Sequence, residues 1–285
     1  MHIAIIGLGE VGRCYARALH AAGIALSLCN VRPSPAAVDC ASSLALPLHT
    51  EPGAWLSQAT WVLSCVPGTQ SAGVVALVLP FLNREAAFAD FSTATPDVKR
   101  SNADAAAAQG SRYVDAAIMG AISLGGARTP LLLAGAGAEA LQCVLAPCGA
   151  RIRIVANGVA GDAMSLKLLR SVFTKGMEAL AVELLMSAEQ QGMREQLYAQ
   201  LADIDETPLR DYLDMLVRTH VVHAARRVHE VRDAQALLAA RQHPSLVLPG
   251  VERRFAATVL GLASDPLGNA DPSVGQALDW LLAQR

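Results

Sequence analysis

Ile3-Ala4-Ile5-Ile6-Gly7-Leu8-Gly9-Glu10-Val11-Gly12 is the stretch on which the reading of this chain turns. A short apolar run ends in Gly-x-Gly-x-x-Gly, and an apolar-periodic helical segment, Glu10–Ala22, follows directly. In that setting each glycine has a task. Gly7 permits the tight turn, Gly9 lets a ligand's pyrophosphate approach the backbone, and Gly12 lets the helix pack on the strand. The helix N-terminus adds attraction for negative charge. The expectation is a dinucleotide site at Gly7, Leu8, Gly9, Glu10, Val11 and Gly12.

Further along, β-rich runs recur at Ile24–Cys29, Trp61–Val66, Ala87–Phe91, Tyr113–Ala116, Leu131–Ala134 and Ile152–Val155, with helical stretches between them. Near-continuous apolar strands alternating with helices imply a parallel sheet covered on both faces. The expected fold class is therefore α/β, a doubly wound Rossmann-type domain over 1–158. The most apolar stretch, Leu131 to Ala150, is interrupted by glycines, Glu139 and Pro147, so it reads as strand, turn and helix and not as a membrane span.

After Asn157-Gly158 the pattern changes. No proline occurs from Asp162 to Gln191, which predicts one helix of roughly 40–45 Å. Helical stretches follow at Arg194–Ala202, Pro208–Thr219, Val221–Ala240, Val251–Leu262 and Pro272–Gln284. Residues 159–285 are thus expected to form an all-helical domain entered through the long helix, with a ligand cleft between the two domains.

Composition narrows the function classes. The chain has 285 residues, 53% of them hydrophobic and 17% charged, which excludes a disordered protein. With 23 basic against 25 acidic residues and no basic run, a nucleic-acid partner is not expected. No basic flank with an apolar core opens the chain, so a secretory signal is not expected either. The cysteines, Cys14, Cys29, Cys40, Cys65, Cys143 and Cys148, form no metal-binding spacing. They read as reduced thiols of a cytoplasmic protein without a metal.

The end of the second strand selects between cofactors. NAD sites place an acid there, whereas this chain has Asn30, Val31, Arg32, Pro33 and Ser34. A guanidinium in place of the acid suits a 2′-phosphate, so NADP is expected rather than NAD, with Asn30, Arg32 and Ser34 at the ribose.

Five segments taken in order resemble the β-hydroxyacid dehydrogenases, the group of 3-hydroxyisobutyrate and tartronate semialdehyde reductases and 6-phosphogluconate dehydrogenase. They are Ile5–Gly12, Ser64-Cys65-Val66-Pro67, Asp90-Phe91-Ser92-Thr93, Tyr113-Val114-Asp115-Ala116-Ala117, and Gly161-Asp162-Ala163-Met164-Ser165-Leu166-Lys167. The stretch from Leu166 to Leu180 is similar to a 6-phosphogluconate-dehydrogenase-like subgroup with a distinct C-terminal helical domain. The resemblance implies that Val66, Pro67, Ser92 and Thr93 hold the nicotinamide ribose. It also implies that Lys167 exchanges a proton with the substrate's hydroxyl or carbonyl oxygen. A lysine whose ammonium is desolvated can serve as such an acid or base.

The substrate half departs from that family. Ser171 stands where the family has an asparagine, and Met119-Gly120-Ala121, with Ser123 beyond, stands where it has Ser-Gly-Gly. In the helical half, His223, Arg226, Arg227 and Glu230 share one helical face. Arg226 or Arg227 can hold a substrate carboxylate, or the face is simply solvated or an interface. The activity expected is NADP-dependent hydride transfer on a small, carboxylate-bearing hydroxy acid or its carbonyl partner. The alternatives are an imine reductase with Tyr113, Asp115 or Asp162 as acid, an oxidative decarboxylase, or a non-catalytic NADP-binding protein. Apolar helices Val251–Leu262 and Ala277–Leu282 predict a homodimer or a dimer of dimers.

Overall fold

Alternation within the first strand explains the layers. Ile3 and Ile5 point to one face of the sheet and Ala4 and Ile6 to the other, and all four are buried. Ile3 and Ile5 join Leu8, Tyr15, Leu19, Leu63 and Leu133 in one apolar cluster. Ala4 and Ile6 join Val62, Val75, Leu79 and Phe88 in a second. A strand that is apolar on both sides fits only the middle of a sheet with helices on each face.

The computed structural model describes residues 1–284. Its strands are β1 (His2–Ile6), β2 (Ala25–Cys29), β3 (Leu48–His49), β4 (Trp61–Ser64), β5 (Ala87–Asp90), β6 (Arg112–Ile118), β7 (Leu131–Ala134) and β8 (Ile152–Ile154). The helices of this half are α1 (Glu10–Ala21), α2 (Pro35–Ser43), α3 (Ser71–Val78), α4 (Pro96–Ala108), α5 (Ile122–Gly125) and α6 (Ala138–Leu145). One sheet runs in the order β3-β2-β1-β4-β5-β6-β7-β8. The doubly wound α/β class is as expected, with one correction. β7 lies antiparallel to β6, and β8 is parallel to β7, so the sheet is only mostly parallel. The link between β6 and β7 holds only the one-turn α5 and a 3-10 turn, Gly126–Arg128, and it brings Leu131 in beside Ile118, so β7 runs back along β6.

The long helix α7 spans Asp162–Gln190. Beyond it come α8 (Arg194–Gln200), α9 (Ala202–Asp205), α10 (Leu209–Ala240), α11 (Leu248–Ser264) and α12 (Val274–Ala283). The two helices expected at Pro208–Thr219 and Val221–Ala240 are one continuous α10, because nothing between them is a glycine or a proline. α11 begins before its expected start because Pro249 is tolerated in a first helical turn. A capping box between Ser273 and Gln276 starts α12.

The chain divides into two compact units, Met1–Val172 and the residues from Phe173 onward. The division falls inside α7, later than the 158/159 boundary read from the sequence. The reason is packing: Ala163 is buried with Ala117 and Ala134 of the sheet, and Ala160 and Met164 are buried too. The first turns of α7 therefore belong to the sheet unit. The second unit has its own small core around Val221, Ala277 and Trp280. No described helix is long and apolar enough to cross a membrane.

Candidate functional site

The glycine loop is built as its spacing requires. Gly7 has φ of +90°, and a Cβ there would lie 2.9 Å from the Cys65 carbonyl oxygen. A Cβ on Gly12 would lie 1.9 Å from the Gly7 carbonyl oxygen, so α1 sits against the strand end only because that position is bare. Gly9 differs: nothing lies within 4 Å of where its Cβ would be. It also caps α1 without any side-chain hydrogen bond to the first-turn amides. Open space beside uncapped N–H groups suits a pyrophosphate.

Asn30 clips this loop to the end of β2. Its Oδ1 accepts from the Leu8 N–H at 3.1 Å, and its Nδ2 donates to the Arg32 carbonyl at 2.9 Å. Arg13 holds the same loop from α1, donating to the Leu8 carbonyl at 2.9 Å. The sequence reading missed Arg13, since a lone arginine in a helix carries no motif. Arg32 is exposed, and its guanidinium forms no ion pair among the described residues. Ser34 caps α2 by accepting from the Ala37 N–H.

The two loops expected at the nicotinamide ribose meet each other. A Cβ on Gly68, just past Val66-Pro67, would lie 2.7 Å from the Thr93 carbonyl carbon. Thr93 is exposed there. Ser92 is not available in the same way: it is buried, and its hydroxyl accepts from the Ala94 N–H at 3.2 Å.

Beneath these loops lies a buried polar cluster whose organisation the motifs did not convey. Asp90 Oδ2 accepts from the Ser71 hydroxyl at 2.7 Å and the Tyr113 hydroxyl at 2.6 Å, and its Oδ1 accepts from the Ser92 N–H at 2.8 Å. Lys99 Nζ donates to the Asp90 carbonyl at 2.9 Å and lies 2.8 Å from Asp115 Oδ1. The other Asp115 oxygen accepts from the backbone N–H groups of Gly161 at 3.2 Å and Met164 at 2.9 Å. Burial raises the Asp90 carboxyl, but Lys99 and the three hydrogen bonds outweigh it and hold it below the usual carboxylate range. Burial, helped by Asp90, pushes the Tyr113 hydroxyl well above its ordinary value.

Lys167 follows Met164 by one turn of α7 and is partly buried. Burial lowers its pKa from the ordinary 10.5, the ammonium of Lys99 lowers it further, and Asp115 acts in the opposite direction. An amine tuned downward by these causes gives up its proton more readily than an exposed lysine does.

Within the sheet unit, Met119 and Ser123 line different cavities. Met119 lines a cavity with Arg151, Arg153 and Arg170. Ser123 instead faces α1, in a cavity shared with Glu10, Arg13 and Arg17. Gly120 packs against the Thr129 methyl, and Ala121 accepts from the Thr129 hydroxyl at 3.3 Å. Ser171 donates to the Lys167 carbonyl at 3.0 Å, so its proton is committed within the helix. In the helical unit Arg226 is paired with Glu230, and Arg227 donates to the Thr219 hydroxyl at 3.0 Å. His220 contacts the Thr258 hydroxyl at 2.8 Å. Burial, with Arg254 and Arg227, lowers its pKa to about 4. No cluster of three metal-ligating side chains occurs among the described residues.

Residues 2–156 match the family described as the NAD binding domain of 6-phosphogluconate dehydrogenase, and residues 188–258 match a domain of unknown function, DUF1932. An uncharacterized 28.5 kDa protein encoded in the 7S RNA 5′ region of Methanothermus fervidus is 26% identical over 148 residues, 50% of this chain. The match spans 55% of that relative, about half its length. Among solved structures, a conserved hypothetical protein from Sinorhizobium meliloti 1021 is 27% identical, with a TM-score of 0.63 over 100% of this chain and 97% of that one. A conserved protein described as structurally similar to 3-hydroxyacid dehydrogenases is 24% identical, with a TM-score of 0.64 over 90% of this chain and 96% of that one. An imine reductase from Aspergillus terreus shares the fold at 18% identity, with a TM-score of 0.76 over 98% of both chains.

Proposed function

The chain belongs to the family of the NAD binding domain of 6-phosphogluconate dehydrogenase, and from that premise we propose that it is an NADP-dependent oxidoreductase of small hydroxy acids or their carbonyl partners. The bound nicotinamide supplies or accepts the hydride. The chain's residues do the rest. The amides from Gly7 to Gly12 hold the pyrophosphate, which the bare, open position of Gly9 fits. Arg32, beside Asn30 and Ser34, holds the 2′-phosphate, and Val66, Pro67 and Thr93 hold the nicotinamide ribose. Lys167 donates a proton to the carbonyl oxygen during reduction and removes it from the hydroxyl during oxidation.

The observation that carries this reading is that buried Asp115 fixes the start of α7 through the Gly161 and Met164 amides, holding Lys167, partly buried, one turn farther on. The imine-reductase alternative shares the fold but needs another acid. Tyr113 and Asp115 are buried and committed to Asp90, Lys99 and α7, and Asp162 accepts from the Val159 N–H at 2.9 Å. That favours the hydroxy-acid reading. The same lysine would serve an oxidative decarboxylase, and a non-catalytic NADP-binding protein would have no use for it. The test is NADPH fluorescence on mixing, then turnover on hydroxy acids, keto acids and cyclic imines, with Lys167→Met alongside. Turnover of an acid substrate that the variant lacks supports the reading. Full activity in Lys167→Met, or turnover of imines alone, overturns it.

A homodimer is part of the same proposal. The helical unit buries little apolar surface of its own, while Leu180, Leu184, Leu237 and Leu248 line an apolar cavity of about 620 Å³. Leu260, Leu278 and Leu282 are exposed as well. A second copy of this chain, presenting the same apolar helices, is the matching cover. A dimeric mass by light scattering is expected, and a monomer at micromolar concentration would refute it.

A further inference from the structure

At the far edge of the sheet, Arg151 immediately precedes β8 and Arg153 lies within it. Two residues apart, they project from the same face. Arg153 is in register with Leu132, and Leu132 with Ala117. Ala117 and Leu132 pack with Ala163 of α7, so this is the face that α7 crosses. Arg170 follows Ala163 by two helical turns and so returns to the same side of α7. The three arginines line a single cavity of about 470 Å³, with Met119, Pro130 and Leu132 in its walls. All of these residues belong to the sheet unit.

None of the three arginines forms an ion pair or a side-chain hydrogen bond among the described residues. All three are exposed, and what sets them apart from other unpaired arginines is that they share one cavity whose lining holds no carboxylate. Three like charges on one cavity repel each other, and the fold supplies no carboxylate to offset them. Guanidinium forks match phosphate and carboxylate oxygens in bidentate pairs. A single carboxylate has too few oxygens for three forks, whereas a phosphate or two adjacent carboxylates have enough.

We infer that this cavity binds the phosphate group, or two closely spaced carboxylates, of a small-molecule ligand. It opens at the carboxyl ends of β1 to β6, because β7 and β8 run the other way and begin there. That end is where open α/β sheets take their ligands. The occupant is not the cofactor's phosphate. The glycine loop follows β1, five strands from β8, or about 24 Å across the sheet, and β2 with Arg32 lies farther still. The inference goes beyond the proton chemistry of Lys167 and holds whether or not that lysine is catalytic. A plainer role for Arg151 and Arg153 is to keep an open sheet edge from pairing with another chain.

Calorimetric titration of the full chain with inorganic phosphate, malonate and acetate at fixed ionic strength separates the two. Saturable phosphate binding is expected, with malonate competing and acetate weaker by about tenfold or more. Arg153→Gln and Arg170→Gln should each weaken phosphate by about tenfold or more, while Arg32→Ala leaves this binding in place. Phosphate should also raise the Tm of the wild-type chain and not that of Arg153→Gln. If neither phosphate nor malonate binds saturably, or if Arg32→Ala removes all binding while both glutamine variants retain it, the inference is wrong. Aggregation of Arg153→Gln with phosphate binding intact would assign the arginines to edge protection instead.

Discussion

The ammonium of Lys99 lies 2.8 Å from a carboxylate oxygen of Asp115, and both side chains are fully buried. The other oxygen of Asp115 holds the Gly161 and Met164 amides at the start of α7. One carboxylate therefore neutralises a buried cation and anchors the helix that carries Lys167. Asp115→Asn should destabilise the protein by about 3–5 kcal/mol, the usual cost of leaving a buried charge unpaired. Urea unfolding checks this, and an unchanged midpoint would show that Lys99 finds another partner.

The glycine loop separates folding from binding. Gly9→Ala meets no atom within 4 Å, and its φ of −66° suits any residue, so the variant should fold like the wild type. Its methyl group fills the space assigned to the pyrophosphate, so NADPH affinity should fall by about tenfold or more. Gly12→Ala places a Cβ 1.9 Å from the Gly7 carbonyl oxygen and should instead lose stability. Paired thermal melts and fluorescence titrations would show the contrast.

Arg32 should discriminate between cofactors. Losing a charge-assisted contact to the 2′-phosphate costs about 1.5–3 kcal/mol, roughly ten- to a hundredfold in NADPH affinity. Arg32→Ala should therefore weaken NADPH and leave NADH nearly unchanged. Equal losses for both would remove Arg32 from the site.

The pH profile should follow Lys167. Its pKa is lowered below 10.5, first by burial and then by Lys99. In reduction it must be protonated, so the rate should fall as pH rises through that lowered value. In oxidation it must be neutral, so the rate should fall as pH drops through it. Lys167→Met should lower kcat by about 10²–10⁴, and Lys167→Arg should not restore it, because a guanidinium keeps its proton. Lys99→Met should move the inflection upward, since it removes a repelling charge.

Acid should loosen the helical unit through His220. Its folded pKa of about 4 lies below the ordinary 6.5, so the unfolded chain binds the extra proton first. The stability contributed by its neutral form is present above about 6.5 and is lost as pH falls toward about 4. His220→Gln should flatten that part of the pH–stability curve measured by circular dichroism.

The sequence by itself determined the doubly wound class, the glycine loop, the long helix and the place of Lys167 on it. These are local matters: strand and helix periods, bare positions at a turn, and a proline-free run can all be read along the chain. It did not determine the direction of β7, because that depends on where the packed β6–β7 link delivers the chain, which is beside Ile118. The unit boundary inside α7 also came from packing, as Ala160, Ala163 and Met164 bury themselves on the sheet unit. Asp90, Lys99 and Asp115 are far apart in sequence, and nothing in their spacing announces that they meet. The same holds for Arg151, Arg153 and Arg170, which share one cavity because α7 packs on the sheet face from which Arg153 projects. Side-chain commitments such as Ser92 to Ala94, Ser171 to Lys167 and Arg226 to Glu230 were likewise decided by the tertiary structure. Which partner a polar group finds depends on what folding brings within hydrogen-bond reach.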